Sequence, residues 1–504
     1  MTVTEPIIAG FYPDPSICRV DDTYYLINSS FEYLPGIPIH ASTDLVTWNL
    51  VGNALTRTTQ IAEHQGYPSA GIFAPTIRHH AGRFWIIGTN VNDIPLGRGH
   101  FLIHADNPAG PWSDPIFIPG TTGIDPDIVW DEDGIAHVTW CSLDGSNPGI
   151  LSAPVDTDTG QLQDAPKQLW EGTGLAFPEG PHLYQIGDWW YLLLAEGGTE
   201  RGHAATIARS RTIEGPYESS PHNPLLSHRS LPLPVQNVGH ADLIELEDGA
   251  WAAVHLGVRP RGQTPGFHVN GRESFLVGID WVDGWPVIDE DRYPVTPTDH
   301  SFSDAFTTPA IHPRWLGVGV FPSTFTEPHP EGGLLINSAA NGSHSLLSAR
   351  TTDLSWAAST KFDADAGEGR FVVRIDDKNW YGLSYDGTTV TATVTIGGLP
   401  NTVGRWQPPT GVSPFLQISA HPAPLLPHGV SLEPDLIELT AGADDVEHAF
   451  GTFDGRYLST EVTGGFTGRV IGVEATVGQI RVHHVQYETN HNPVQTRHEM
   501  KDAE

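Results

Sequence analysis

Residues 12–26 read YPDPSICRVDDTYYL, and the same arrangement returns four times. The later copies are FAPTIRHHAGRFWI at 73–86, IDPDIVWDEDGIAHV at 124–138, PEGPHLYQIGDWWYL at 178–192 and GHADLIELEDGAWAA at 239–253. Each copy is a short apolar strand, a polar turn and a second apolar strand. Just before the first strand stand Asp14, Ala74, Asp125, Glu179 and His240. Steps of roughly 50–60 residues with strand pairs inside them are the mark of a propeller, and five copies predict five blades. The innermost strand of each blade runs along the central axis, so equivalent positions far apart in sequence converge there. Two Asp, one Glu and one His would meet at one mouth. Paired carboxylates in a concave site are the equipment of glycoside hydrolysis.

The rest of the 504 residues continues in β texture. Residues 1–295 carry the five units, and DEDRYPVTPTDHSFSD (289–304) is polar, with two prolines, and reads as a linker. Beyond it, GRFVVRIDD, NWYGLSYD, TTVTATVTI and GRVIGVEATV alternate apolar and polar residues, as antiparallel strands with one buried face do. Residues 300–488 are expected to form a β-sandwich, and 489–504 a polar tail that frays. The fold class is all-β, a five-bladed β-propeller followed by a β-sandwich.

A formal net charge of −34 argues against nucleic acid and anionic membrane surfaces as partners and is compatible with a neutral sugar. The two cysteines, Cys18 and Cys141, fall inside predicted strands and are expected as buried free thiols. No apolar run approaches the ~20 residues of a membrane span. The start, MTVTEPIIAGFYPDPS, has neither a basic n-region nor an apolar h-region, so a cytoplasmic location is the expectation.

Asp14 sits between two prolines, which restrict the backbone and aim the carboxylate; alone it would read as a turn residue. Asp125 repeats the Asp-Pro pair, with Asp127 as its competitor, two residues deeper along the strand and away from the mouth. Glu179 gains nothing for a strand beside Gly180 and Pro181. The apolar strand DWWYLLLAEGG that follows offers surroundings that raise a carboxyl pKa, as a general acid needs. His240 could orient a carboxylate or bind a hydrated divalent cation such as Ca2+ in the channel; no HExxH or CxxC pattern supports a catalytic metal, and no cofactor is required. Arg272, in NGRESFLVGIDW, reads either as a surface residue or as the partner of a catalytic carboxylate. Phe31 and Phe73 lie at strand ends and could stack on a sugar face or pack a core.

Together these motifs resemble glycoside hydrolase family 43, over essentially the whole chain, in the β-xylosidases with a C-terminal sandwich. The resemblance implies that Asp14 is the general base, Asp125 the acid that tunes and orients the general acid, and Glu179 the general acid. It implies that Arg272 (in GRESF) pairs with the base, that His240 (in GHADL) lines the channel beside a cation, and that a sandwich loop closes the pocket, with Phe466 its candidate. β-Xylosidases of this type commonly have Trp where this chain has Phe73. Inversion is implied, with the base and acid roughly 6.5–9.5 Å apart. Asp125 is expected to keep Glu179 protonated by like-charge repulsion. The expected activity is release of xylose from the non-reducing end of β-1,4-xylo-oligosaccharides. The alternatives are an α-L-arabinofuranosidase, an enzyme with both activities, or a non-catalytic sugar-binding protein on the same scaffold. An endo-acting arabinanase would need an open groove, which the second domain disfavours. Homo-oligomers are common in similar enzymes.

Overall fold

The computed structural model describes residues 5–64, 67–339 and 344–490. Most of the predicted polar tail, 491–504, lies outside the described residues. The chain divides into two compact units. The first comprises Met1–Glu63, Ser69–Arg259 and Arg272–Thr296; the second comprises His64–Pro68, Pro260–Gly271 and Pro297–Glu504.

The first unit is the five-bladed propeller. Each blade is a four-stranded antiparallel sheet whose strands follow one another in sequence. The inner strands are Ser16–Val20, Thr76–His80, Gly123–Trp130, Glu179–Ile186 and Gln236–Glu245. The second strands are as apolar as the sequence promised: Trp189–Glu196 is buried at every position after its first. Neighbouring blades share cores. Trp85, Ile87 and Leu102 of blade 2 pack with Ile128, Val138 and Trp140 of blade 3, and Leu193 and Ile207 of blade 4 with Leu243, Ala253 and Phe275 of blade 5. The ring is closed by the N-terminal segment, where Ile7 N–H donates to Ser274 O at 2.9 Å and Ser274 N–H to Ile8 O at 3.2 Å. That segment is thereby fastened to the blade 5 strand Glu273–Val282.

The second unit is the expected sandwich. Two long strands, Trp356–Arg374 and Val470–Thr489, pair along their whole length with three register shifts. Their outer stretches divide between two sets of partners. Trp356–Lys361 pairs with Phe415–Pro422, whereas Gly369–Arg374 pairs with Trp380–Tyr385. Residues from both sets, such as Ile418, Ile437, Leu383 and Ala392, meet in one core with Phe362 and Phe371. Burial alternates strictly through Trp356–Ala364, the one-face-buried pattern read from the sequence.

Candidate active site

The inner strands of blades 3, 4 and 5 share one irregularity. Each pairs with its neighbour up to Ile124, Glu179 or Gly239, leaves two residues unpaired, and resumes at Asp127, His182 or Asp242. Such a bulge bends the strand and re-aims side chains. The first unpaired residue takes a left-handed backbone: Asp125 at φ 55°, Gly180 at φ 56° and His240 at φ 46°. Asp14, at φ 54°, precedes its strand in the same way. The residue equivalent to Asp14, Asp125 and His240 in blade 4 is therefore Gly180. Glu179 is one place earlier, at the level of Phe73 in blade 2. The alignment read from the sequence was off by one residue in that blade.

These positions put the carboxyl groups into one electrostatic neighbourhood. Asp14, Asp125, His240 and Arg272 are all buried, and Glu179 is half-buried. Arg272 Nη1 donates to Asp14 Oδ1 at 2.9 Å and to Thr199 Oγ1 at 3.0 Å. Ser29 Oγ donates to Asp14 Oδ2 at 2.5 Å, and His240 Nδ1 lies 3.7 Å from Asp14 Oδ1. Asp125 Oδ2 accepts from Gly180 N–H at 3.2 Å. Gly180 has no room for a side chain, since a Cβ there would stand 2.9 Å from the His240 ring.

Burial alone would raise the carboxyl of Asp14, but Arg272, His240 and Ser29 outweigh it and hold the group below the usual carboxylate range. Asp125 is pushed well above that range by burial, then by the charges of Glu179 and Asp14. Glu179 is pushed up to about 7 by burial and then by Asp14. Apolar surroundings and like-charge repulsion from Asp125 were the expected causes at Glu179; burial leads, but the repelling charge is that of Asp14. One carboxylate is thus kept ionised by a guanidinium while a neighbouring pair resists ionisation. Such a splitting is what a base and an acid sharing one site would require.

Phe31 is only 1% exposed, with its ring 5.7 Å from that of Phe73 and 5.8 Å from the Arg272 guanidinium carbon. Phe73 is half-buried and keeps some open surface. Phe466 belongs to the second unit, half-buried in the loop between Thr460–Thr463 and Val470–Thr489. The thiols are both free; Cys18 is buried, but Cys141, expected to be buried too, is only half-buried. Among the described residues no three His, Cys, Asp or Glu side chains gather as a metal shell. His240 offers one imidazole, and the carboxylate beside it is held by Arg272. These residues do not form a protein coordination shell.

A layer the sequence reading missed lies one step along the inner strands. Arg78 reaches Asp242 Oδ2 through Nη1 and Asp127 Oδ1 through Nη2, each at 2.9 Å, and approaches His182 Nδ1 at 3.0 Å. Ser16 Oγ donates to Asp242 Oδ2 at 2.7 Å and Tyr184 Oη to Asp242 Oδ1 at 2.5 Å. One guanidinium thus links residues of all five blades. Asp127 also accepts from Leu183 N–H at 2.8 Å, so Asp125 and Asp127 grip blade 4 on both sides of the bulge that presents Glu179. The only available signal was the shared two-residue offset of Ser16, Asp127 and Asp242.

The family model for glycosyl hydrolases family 43 matches residues 3–286, the propeller. The chain is 36% identical to the non-reducing end alpha-L-arabinofuranosidase BoGH43B of Bacteroides ovatus, over 94% of this chain and 91% of that protein. It is 39% identical to a beta-xylosidase of Bacillus subtilis over 57% of each chain. Among solved structures, the xylan beta-1,4-xylosidase from Bacillus halodurans superposes with a TM-score of 0.86 at 28% identity, covering 96% of this chain and all of that one. The chain belongs to glycoside hydrolase family 43 and is a glycoside hydrolase.

Proposed function

We propose that the enzyme releases a terminal pentose from the non-reducing end of a short oligosaccharide with inversion, and that the sugar is β-1,4-linked xylose. The observation that carries the mechanism is the opposed tuning of Asp14 and Glu179. Asp14, ionised beside Arg272, takes a proton from water as the water oxygen bonds to the anomeric carbon. Glu179, still protonated near neutral pH, gives its proton to the leaving oxygen as the glycosidic bond breaks. Asp125 fixes Gly180 through its hydrogen bond and so orients the acid beside it. Arg272 and Ser29 hold the base in place.

Xylose is supported by the relatives named as xylosidases, among them the beta-xylosidase of Bacillus subtilis, and its β-1,4 linkage by the likeness to the xylan beta-1,4-xylosidase from Bacillus halodurans along nearly the whole chain. A second reading, release of α-L-arabinofuranose, is favoured by the arabinofuranosidase relative that matches along nearly the full length. Hydrolysis of 4-nitrophenyl β-D-xylopyranoside and of the α-L-arabinofuranoside, side by side, tests both. Proton NMR of the first-formed sugar tests inversion. Activity on the xyloside that is lost in Asp14→Ala, the variant without the base, is the expected result. Faster cleavage of the arabinofuranoside would move the assignment to the second reading, and retention of configuration would overturn the mechanism.

A further inference from the structure

We infer that Phe177 is a stacking platform for the sugar that leaves, an inference that rests on the exo-glycosidase reading above. Of the 19 phenylalanines, it is the only exposed one among the described residues, with 72% of its surface open. Its backbone is held at φ 52°, the left-handed region that is costly for any side chain but glycine. A largely exposed aromatic ring on an uncomfortable backbone gains little for the fold. Such strain persists only where the surroundings impose it.

The surroundings do impose it. Loop residue Thr173 is tied to Glu196, which is fully buried: Thr173 N–H and Oγ1 both donate to its carboxylate at 2.9 Å. Thr206 Oγ1 holds the same carboxylate at 2.6 Å. Gly197 N–H donates to Ala176 O at 2.6 Å, and the Phe177 ring lies against Gly198. The next residue, Thr199, accepts from Arg272. The ring is thus fixed relative to the catalytic arginine from one side and to Glu179, two residues on, from the other.

The occupant follows from the chemistry of the acid. Glu179 protonates the glycosidic oxygen, so the leaving sugar starts one bond from the proton it receives. Two residues of chain span at most about 7 Å. A pyranose ring in the leaving position presents an apolar face of C–H groups, and an open aromatic face is its natural partner.

The test compares two substrates with the same terminal sugar. One is the β-1,4-linked disaccharide (or the arabinose disaccharide, if that sugar is the one cleaved). The other is the glycosyl fluoride, which has no leaving sugar. Phe177→Ala is expected to lower kcat/KM for the disaccharide about tenfold, in keeping with one lost aromatic contact, and to change the fluoride by less than about twofold. Phe177→Trp should restore the disaccharide rate. Equal losses on both substrates, or none on the disaccharide, would overturn the platform. A wild-type enzyme that cleaves neither sugar's fluoride nor its disaccharide would instead sink the functional reading, and the platform with it.

Discussion

The Arg272 guanidinium spans both oxygens of Asp14, at 2.9 Å from Oδ1 and 3.5 Å from Oδ2, although the two residues are separated by nearly the whole propeller sequence. They come together because blade 1 and blade 5 are neighbours in the closed ring. The pair is buried, so the attraction acts with little screening by water.

Arg272 lowers the pKa of Asp14, Asp125 and Glu179 alike. Removing it in Arg272→Met therefore raises all three. The acidic limb of the pH–rate profile, set by ionisation of Asp14, moves up, and so does the basic limb, set by loss of the Glu179 proton. The whole bell should shift upward by about one unit, with a fall in kcat on the order of 100-fold. A fall in amplitude with both limbs unmoved would show that the guanidinium does not tune these carboxyls.

Glu179, pushed up to about 7, places the basic limb near neutrality: activity is full while the group is protonated and falls as pH rises past that value. Glu179→Gln should abolish this limb. Its cost should depend on the leaving group, about 100- to 10,000-fold on a disaccharide and far less on an activated dinitrophenyl glycoside, which departs without a proton. Equal losses on both substrates would remove Glu179 from the acid role.

Much of this site was legible in the chain because propeller repeats carry their own alignment. The Asp-Pro pairs at 14–15 and 125–126 advertise equivalent positions, and Arg272, which read either as a surface residue or as a carboxylate's partner, is buried against Asp14. Two things were hidden, for physical reasons. The bulge in blade 4 places Gly180 where the other blades have Asp or His, and a bulge leaves no periodic trace, so Glu179 looked equivalent when it is one residue out. Arg78 lies in TIRHH, in a blade whose mouth position is Ala74, and reads like any strand arginine until five blades converge on it. Asp127 was read as lying two residues deeper than Asp125, but its grip on Arg78 and Leu183 requires knowing which blades touch.

That buried layer predicts a stability effect. Arg78→Met would leave Asp127 and Asp242 without their shared counter-charge, both being fully buried. Breaking a buried ion pair from one side costs about 3–5 kcal/mol, measurable as a lower urea midpoint. The two Asp carboxyls are held below their ordinary range, where the attraction of Arg78 offsets burial. They therefore contribute stability that is complete above about pH 4 and fades as pH falls through their lower folded values. In Arg78→Met those values rise, so acid unfolding should begin at higher pH. A loss below about 1 kcal/mol would mean that the layer relaxes or hydrates when its guanidinium is removed.

Gly180 and Gly187 separate strain from catalysis within one blade. Both have a left-handed backbone, at φ 56° and φ 59°. A Cβ on Gly187 would meet nothing within 4 Å, whereas one on Gly180 would stand 2.9 Å from His240 Cε1 and 3.1 Å from its ring nitrogens. Gly187→Ala should therefore cost only the backbone term, about 1–2 kcal/mol, and leave kcat unchanged. Gly180→Ala adds a displaced imidazole beside Asp14 and a disturbed hydrogen bond from Gly180 N–H to Asp125. Its kcat should fall at least about tenfold, since misplacing catalytic groups by an ångström is costly. Thermal melts and kcat measured on the two variants decide the point. If both lose stability and neither loses activity, the contact between blade 4 and His240 contributes to folding alone, and the acid does not depend on it.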